Sequence, residues 1–276
     1  MHDRNQRTEA TIVIPVHNQL RFTQQCLDSL NAAGYADAMI VVVDNASTDG
    51  TAEFLGTRPA LRVITNATNR ACAAAWNQGF QASTTRWTVF LNNDTVSPPG
   101  WLDRLIAFAE INGLAVASPA MGEGELDYGL NAFAQKFVAQ MKNVTRRGRA
   151  SGACFMVARN VFAITGGFDE NFTKGGTEDD DFFWRARAAG FKLASGGSAY
   201  IHHFGSMTRN ALAAGRDSHR AEMNRYFHRK WKLNWAGRRW LRLRRKAIEA
   251  WWVWNERLRH GHTLREHRQG GRQIYR

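Results

Sequence analysis

The stretch AMIVVVDNASTDG, residues 38–50, decides the fold of this chain of 276 residues. Its first half is a run of apolar residues without alternation, which is typical of a parallel strand covered on both faces. Comparable runs at residues 11–16, 61–66 and 87–91 are separated by stretches with helical periodicity. This regular alternation predicts an α/β fold with a doubly wound, mostly parallel sheet.

Carboxylates follow two of the predicted strands at the point where each strand ends. Asp44 follows the second strand and Asp94 follows the fourth. Ligands of such sheets bind beyond the carboxyl ends of the strands. Asp44 therefore has two interpretations: it accepts hydrogen bonds from its own turn, or it accepts an N–H group from a nucleobase.

Asp94 also has two interpretations. It either caps the loop before the helix predicted from Trp101, or it binds a hard divalent cation such as Mg²⁺ or Mn²⁺. The chain contains neither a G-x-G-x-x-G turn after the first strand nor a G-x-x-x-x-G-K-[ST] loop. A phosphate bound at this edge would need another source of positive charge, which favours the cation.

The stretch GGTEDDDFFWRARAAG, residues 175–190, places four carboxylates in a row at a predicted helix start. Two of the four have a structural explanation. Thr177 is the expected N-cap, and Asp180 completes a capping box with it. Asp181 precedes Arg185 by four residues, the favourable order for an ion pair within a helix.

The other two carboxylates, Glu178 and Asp179, occupy the first turn of this helix. In one interpretation they only compensate the helix dipole. In the other, a carboxylate fixed at a rigid helix end acts as a general base that deprotonates a hydroxyl. His202 and His203 follow a further apolar run, either as hydrogen-bonded structural residues or as part of a metal shell.

The composition is that of a folded protein, with 44% hydrophobic and 22% charged residues. Its three cysteines, Cys26, Cys72 and Cys154, are widely spaced and odd in number, which argues against a disulfide framework or zinc site and favours a reducing compartment. No apolar stretch is long enough for a signal peptide or a membrane span. We therefore expect a cytoplasmic protein, either free or peripheral at the inner face of the membrane.

The positive charge is concentrated at the end of the chain. Residues 204–276 hold 19 Lys and Arg against 5 Asp and Glu, whereas residues 1–203 hold 18 against 19. The basic part also carries six of the ten tryptophans. This shift predicts a neutral domain at residues 1–215 and a basic, Trp-rich helical extension at residues 216–276.

The basic extension has three interpretations. It lies on anionic lipid and reaches a lipid-linked acceptor, it binds an acidic glycan or protein partner, or it packs on the domain as a helical cap with a solvated basic face. The segment at residues 122–155 is rich in glycine and has no clear periodicity. Its composition suggests a mobile insertion that folds over a bound ligand.

Seven motifs, in their order along the chain, carry a family resemblance. They are VIPVHN at 13–18, VVVDNASTDGT at 41–51, FLNNDT at 90–95, SGACFMVAR at 151–159, GGFDENF at 166–172, EDDDFFWRARAAG at 178–190 and HHFGS at 202–206. Together they resemble the family-two glycosyltransferases with a GT-A fold, especially the bacterial members that build polysaccharides. The resemblance implies an inverting enzyme that uses a divalent metal (Mn²⁺ or Mg²⁺) to move a sugar from a nucleotide diphosphate to an acceptor hydroxyl on a glycan or lipid-linked glycan.

The resemblance also implies roles for particular residues. Pro15 and Asn18 would line the nucleotide pocket, Asp44 would meet the base, and Asp49 would border the same site. The predicted donor-binding set is completed by Val16, Asn45, Asn92, Asn93 and Arg185, the last of which would also brace the helix at residue 178.

In the same way, Asp94 would bind the metal as the last member of the D-x-D element. The first carboxylate of that element is the amide Asn92 here, which predicts weaker metal affinity. Asp179 would be the catalytic base and Glu178 would support it. A histidine from position 202 or 203 would complete the metal or diphosphate site, with a slight preference for His202.

Two other functions compete with this one. A nucleotidyltransferase or sugar-phosphate enzyme would usually need a Gly/Lys-rich phosphate loop, which the PVHNQLR stretch after the first strand does not supply. The other alternative is a protein that binds nucleotide sugar or nucleic acid without transfer, in which the basic, Trp-rich extension would hold the nucleic acid. Nucleic acid is disfavoured, because the neutral domain would then have no role.

Overall fold

A computed structural model describes residues 9–173, 176–205, 216–269 and 272–274. Its strands are β1 (Ala10–Val16), β2 (Ile40–Asp44), β3 (Arg62–Thr65), β4 (Trp87–Leu91), β5 (Thr95–Val96), β6 (Val116–Gly124), β7 (Thr145–Arg147), β8 (Cys154–Ala158), β9 (Leu193–His203), β10 (Arg265–Gln269) and β11 (Arg272–Ile274). Its α-helices are α1 (Leu20–Ala32), α2 (Thr51–Gly56), α3 (Ala71–Ala82), α4 (Trp101–Ile111), α5 (Leu130–Met141), α6 (Arg159–Thr165), α7 (Glu178–Ala188), α8 (Arg216–Lys230) and α9 (Trp235–His260).

One mixed sheet joins the described strands in the order β11-β10-β6-β8-β4-β1-β2-β3, with β9 paired to β5, β6 and β7. Strands β3, β2, β1 and β4 are parallel, and β8 runs antiparallel between β4 and β6. The predicted α/β fold with a mostly parallel sheet is confirmed. The first four strands and three helices also lie where the sequence periodicity predicts them.

Helices cover both faces of the sheet. Successive residues of β1 show this, because Ile12 packs with one buried cluster, which includes Leu27 and Trp101, whereas Val13 packs with the other. Helix α3 approaches β1 so closely that a Cβ atom at Gly79 would lie 2.1 Å from Val13 Cγ1. Glycine at this position therefore allows the helix to pack on the strand. Because β1 pairs in parallel with both β2 and β4, the carboxyl ends of these three strands meet at one edge of the sheet.

The segment at residues 122–155 differs from its prediction. It contains α5, which has a buried face formed by Ala134, Phe137 and Met141 and which packs against Tyr200 on β9. Strand β7 of the same segment pairs with β9. The expectation of an insertion without regular structure is therefore wrong, because its apolar residues recur at helical spacing and bury one side of the helix.

The end of the chain packs on the rest of the protein. The predicted helical part is present as α8 and α9, but β10 then enters the main sheet and pairs in parallel with β6. This last feature was not predicted. The proposed boundary at residue 215 lies outside the described residues, so the division at residues 215 and 216 stays a prediction. No described helix combines the length and apolar character needed to cross a bilayer.

Helix α9 is held to the sheet by a buried ion pair. Arg146 on β7 donates from Nε and Nη2 to the two carboxylate oxygens of Glu256, both at 2.7 Å. The Glu256 side chain is 3% exposed, and Glu256 also accepts from the backbone N–H of Leu264. This carboxylate therefore connects α9, β7 and the chain that leads into β10.

We expect Arg146→Ala to lower the free energy of unfolding by about 3–5 kcal/mol, because it leaves the Glu256 carboxylate buried without its charged partner. Urea denaturation measures the loss. Arg86→Ala is the matched control, since Arg86 pairs with Glu9 and Glu110 at the surface. Its expected cost is about 1 kcal/mol or less. Equal losses in the two variants would contradict the structural role assigned to Arg146.

Candidate active site

The loops that follow β1 and β2 interlock at the carboxyl edge of the sheet. The backbone N–H of Asn18 donates to Ser47 Oγ at 2.8 Å, and Asn18 Oδ1 accepts from the backbone N–H of Thr48 at 2.7 Å. Asp49 Oδ2 accepts from the backbone N–H of Leu20 at 2.9 Å, at the start of α1. Asn18 and Asp49 thus lie at the predicted site, where their visible role is to hold the two loops together.

Strained backbone is concentrated at the same edge. The non-glycine residues Asn18, Gln19, Ala46 and Ala71 have φ values of 56°, 65°, 60° and 62°. They lie in the loops after β1 and β2 and at the start of α3, which follows β3. A non-glycine residue in the left-handed region is uncommon. Such strain persists where the surrounding structure enforces it, and it clusters at functional sites.

Asp44 and Asn45 take part in this loop structure. Asp44 Oδ1 accepts from the backbone N–H and the hydroxyl of Ser47, at 3.0 and 2.6 Å. The interpretation of Asp44 as a turn residue therefore holds for one of its two carboxylate oxygens. Asn45 Oδ1 accepts from Asn66 Nδ2 at 2.8 Å, and Asn45 Nδ2 donates to the Ala71 carbonyl at 3.2 Å. The Asn45 amide is therefore occupied by protein contacts. This geometry gives no support to a contact between Asn45 and a bound sugar nucleotide.

Two other predicted donor-binding residues also contribute mainly structure. Val16 is 1% exposed, and its side chain lies in the apolar core. Asn93 is buried and donates from Nδ2 to Thr23 Oγ1 on α1 at 3.0 Å. Pro15 and Asn92 remain half-buried at the sheet edge. Of these four residues, only Pro15 and Asn92 keep side-chain surface that a ligand can reach.

Asp94, the predicted metal ligand, lies beside His203, one of the two histidines predicted to complete the site. His203 Nε2 lies 3.2 Å from Asp94 Oδ1, and the two residues are 4% and 2% exposed. Strand β5 places them together, because Thr95 pairs with His203 across to β9. On the other side of the ring, His203 Nδ1 lies 3.6 Å from Glu123 Oε1. Burial by itself lowers the pKa of His203, but Asp94 and Glu123 outweigh it and raise this pKa to about 9.

His202 has different partners. Its Nδ1 lies 2.9 Å from the Tyr128 hydroxyl, and its Nε2 lies 3.1 Å from the Gly124 carbonyl oxygen. Burial lowers the pKa of His202 to about 4, so the ring is neutral at pH 7. Both ring nitrogens are used within the protein. The geometry therefore favours His203 over His202 beside Asp94, contrary to the slight preference drawn from the sequence.

The C-terminal strand reaches the same cluster. Arg265 Nε donates to Glu123 Oε1 at 2.9 Å, and His267 Nδ1 lies 3.3 Å from Glu123 Oε2. Burial opposes ionisation of Glu123, but His203 and Arg265 outweigh it and lower this pKa to about 2. Sequence analysis missed Glu123, Arg265 and His267. No local signal identifies them, because the pairing of β10 with β6 brings them together.

The residues around Asp94 fit a cation that takes most of its shell from other molecules. No cluster of three or more His, Cys, Asp or Glu suited to a metal occurs in the described ranges. A buried carboxylate beside an imidazole is nevertheless a donor set that Mn²⁺ accepts once the imidazole has lost its proton, and Mg²⁺ or Mn²⁺ at such sites keeps water and substrate phosphate as further ligands.

The acidic start of α7 differs in part from its prediction. Thr177 makes no side-chain capping hydrogen bond. Asp180 Oδ2 instead lies 3.7 Å from Arg245 Nη1 on α9. The predicted capping box is therefore wrong. Glu178 caps the turn instead, since its Oε2 accepts from the backbone N–H groups of Gly176 and Thr177. Glu178 therefore shapes the turn that carries Asp179.

The Asp181 carboxylate is fully buried and accepts hydrogen bonds from three side chains. The predicted ion pair within α7 is confirmed, with Arg185 Nε donating to Asp181 Oδ2 at 2.9 Å. Lys230 Nζ lies 2.9 Å from Asp181 Oδ1, and Trp231 Nε1 donates to the same oxygen at 2.9 Å. The basic end of the chain thus neutralises the acidic helix start. Arg185 also donates to the Thr165 carbonyl at 2.7 Å, which braces α7 against α6.

Arg185 was also predicted to contact the donor. Its guanidinium is engaged by Asp181 and by the Thr165 carbonyl, and it lies over the ring of Phe182 at 5.4 Å. These contacts explain a bracing role. They give no support to a contact between Arg185 and a nucleotide.

Asp179 lies against the turn before β8. A Cβ atom at Gly152 would lie 2.2 Å from Asp179 Oδ2, so only glycine leaves room for this carboxylate. Desolvation, together with the carboxylates of Asp180 and Glu178, raises the pKa of Asp179 to about 8. The same turn contacts the end of β4, because the backbone N–H of Asn92 donates to the Ala153 carbonyl at 2.9 Å. The turn at residues 151–153 therefore links Asp179 to the strand end that carries Asp94.

Gly152 thus lies against the predicted base, a contact that sequence analysis missed. We expect Gly152→Ala to slow a reaction in which Asp179 is the base by about 10- to 100-fold, because the new methyl group displaces the Asp179 carboxylate. The rate is compared with urea stability measured on the same variant, so that a loss of rate in a protein that still folds is attributed to Asp179. Gly129→Ala is the control, because nothing lies within 4 Å of a Cβ atom there. Equal rates in the two variants would contradict this role of Gly152.

Comparisons with known proteins identify the family and the fold of the chain. The sequence profile of glycosyl transferase family 2 matches residues 11–165. A second profile, described as the N-terminal domain of galactosyltransferase, matches residues 135–208. The glycosyltransferase AglE of Haloferax volcanii is 27% identical over 197 residues, which cover 66% of this chain and 62% of AglE. The chain thus spans less than two thirds of this relative.

Solved structures with the same fold include two transferases. GalNAc-T7 with UDP, GalNAc and Mn²⁺ superposes with a TM-score of 0.57 and 16% identity, over 71% of this chain and 44% of that chain. The mannosyltransferase PcManGT from Pyrobaculum calidifontis, in complex with GDP-Man and Mn²⁺, gives 0.55 and 19%, over 71% and 56%. At these identities the similarity establishes a GT-A-like fold.

Proposed function

The chain belongs to glycosyl transferase family 2, and from this premise we propose that it is an inverting, metal-assisted glycosyltransferase. The donor is a nucleotide-diphosphate sugar, and the acceptor is a hydroxyl of a glycan or lipid-linked glycan. The observation that carries the proposal is the arrangement of Asp179 and Asp94. The turn at residues 151–153 contacts both the Asp179 carboxylate and the strand end that leads to Asp94.

The reaction needs stabilisation of the leaving diphosphate and a base that takes the acceptor's proton. The bond between the anomeric carbon and the diphosphate breaks, so negative charge grows on the leaving group. Asp94 and His203 would hold a divalent cation, which supplies Lewis-acid stabilisation of that charge when bound. The loops of Asn18 and Asp49 would position the nucleotide at the carboxyl edge of the sheet. Fold relatives solved with UDP, GalNAc and Mn²⁺ or with GDP-Man and Mn²⁺ support a nucleotide and a divalent cation as ligands of this fold.

Asp179 provides that base. As the acceptor oxygen attacks the anomeric carbon, its proton passes to the Asp179 carboxylate. The raised pKa of Asp179 suits this task, because a base is most effective when its pKa lies near the working pH. A single displacement inverts the anomeric centre, by the same carboxylate logic as in inverting glycosidases, with the acceptor hydroxyl replacing water. The structural contacts of Glu178, Lys230 and Trp231 with this helix start hold the base in place.

A thermal-shift panel tests the proposal. UDP-, dTDP- and GDP-sugars are each added with and without Mn²⁺. A ligand that binds only the native state raises the melting temperature by mass action. We expect one nucleotide class to stabilise the protein, and Mn²⁺ to enlarge the effect. Absence of any nucleotide-dependent shift, in a protein that melts cooperatively, would overturn the proposal.

A cytoplasmic location, peripheral at the inner face of the membrane, belongs to the same proposal. Cys26, Cys72 and Cys154 are all unpaired, which fits a reducing compartment. The basic end of the chain supports the peripheral contact.

A further inference from the structure

Helix α9 has an apolar face directed away from the protein. We define the outer α9 face as Trp240, Leu243, Ala247, Trp251, Trp254 and Leu258. These residues recur at intervals of three and four, so they lie along one side of the helix. Five of the six are strongly exposed: Leu258 at 70%, Trp254 at 63%, Trp240 at 58%, and Leu243 and Trp251 at 56% each. Over these turns the stripe is about 27 Å long, given a rise of about 1.5 Å per residue.

The opposite side of α9 accounts for its packing on the protein. Glu256 pairs with Arg146, and Glu249 pairs with Arg149 and Arg245. These two residues are the only carboxylates in the α9 sequence. Packing on the protein therefore uses the acidic side of the helix. In the part of the chain that the structure describes, the outer α9 face is open to solvent.

Basic residues border the outer α9 face. Arg239, Arg244 and Lys246 are exposed, and the guanidinium of Arg244 lies 5.2 Å from the ring centre of Trp240. Single exposed apolar residues are common on proteins, but a continuous stripe marks an interaction surface. The occupant must accept indole and leucine side chains and must carry negative charge beside them.

We propose that the outer α9 face binds the surface of an anionic lipid bilayer. Trp and Leu side chains would enter the boundary between headgroups and acyl chains, while Arg and Lys contact the phosphates. A second copy of the same face would bring like charges together, which disfavours a dimer. Single-stranded nucleic acid would use the indole rings for stacking but leave Leu243 and Leu258 without a role.

This surface lies close to the start of α7. Arg245 on the inner side of α9 is 3.7 Å from Asp180, the neighbour of Asp179. An α-helix with its side chains is about 10–12 Å across. A bilayer on the outer α9 face therefore lies about one helix diameter from the helix start that carries the proposed base. Resting on the proposed function, this position assigns the acceptor to the class of lipid-linked glycans.

Vesicle co-sedimentation of the full chain tests the surface. The vesicles contain phosphatidylcholine alone or phosphatidylcholine and phosphatidylglycerol in equal parts. We expect the wild type to bind the anionic vesicles, with an affinity that falls as the salt concentration rises. In the double variant Trp251→Ser, Trp254→Ser we expect affinity to fall roughly tenfold or more, because two side chains that anchor the helix at the interface are lost. The control variant Ile111→Ser, Ile164→Ser removes exposed apolar residues elsewhere and should bind as the wild type.

Three outcomes would overturn the proposal: no binding of the wild type to anionic vesicles, equal binding by the Trp251→Ser, Trp254→Ser variant, or binding of a single-stranded oligonucleotide in preference to the vesicles. The thermal shift induced by nucleotide sugar is measured on the same double variant. A retained shift with lost vesicle binding supports the membrane surface independently of transfer. A missing shift in the wild type instead contradicts the proposed function and leaves the vesicle result to stand by itself.

Discussion

Asp179→Asn is expected to lower the rate of sugar transfer by about 10²- to 10⁴-fold, the range that general-base catalysis typically contributes. Asparagine has nearly the same shape and fits the space that Gly152 leaves open, but its amide does not accept the acceptor's proton. The proposed donor site at the ends of β1, β2 and β4 is left unchanged by this substitution. Donor binding, measured by thermal shift, should therefore stay close to that of the wild type. Near wild-type turnover would remove Asp179 from the mechanism.

The matched control for this variant is Asp180→Asn, one residue further along α7. Asp180 is exposed enough to pair with Arg245, and it is not expected to take the acceptor's proton. Its carboxylate is a like charge that helps to raise the pKa of Asp179. The variant should keep transfer activity, and the acid limb of its kcat/KM profile should move to lower pH because Asp179 ionises more easily. A profile unchanged from that of the wild type would contradict this coupling.

Asp94→Asn is expected to abolish the Mn²⁺-dependent part of donor stabilisation and to remove several kcal/mol of transition-state stabilisation, which is the scale of Lewis-acid help to a leaving diphosphate. Asp94 is the carboxylate beside His203, and an amide is a weaker ligand for a hard cation. Calorimetric titration of Mn²⁺ in the presence of nucleoside diphosphate measures the affinity directly. This readout does not depend on turnover.

Asn92→Asp is expected to change Mn²⁺ affinity in the opposite direction. It restores the first carboxylate of the D-x-D element, and Asn92 remains half-buried at the sheet edge. We expect tighter Mn²⁺ binding in this variant and weaker binding in Asp94→Asn. Equal Mn²⁺ affinity in the wild type and Asp94→Asn would exclude Asp94 as a ligand. It would also remove the reason for assigning His203 to the same cation.

The sequence by itself determined the features that depend on near neighbours. Apolar runs and helical periodicity located β1 to β4, and the carboxylates at strand ends pointed to one edge of the sheet. The Asp181–Arg185 pair was predictable because residues four apart share a helix face. Even the missed helix α5 was available from the sequence, since Ala134, Phe137 and Met141 recur at helical spacing.

Only the tertiary structure decided which polar groups meet across the chain. It placed His203 instead of His202 beside Asp94, and it brought Glu123 to the same ring. It also brought Lys230 and Trp231 onto Asp181, and Asp179 onto the turn at Gly152. These partners are separated by tens to more than a hundred residues. Their contacts follow from strand pairing and helix packing, which local periodicity does not encode.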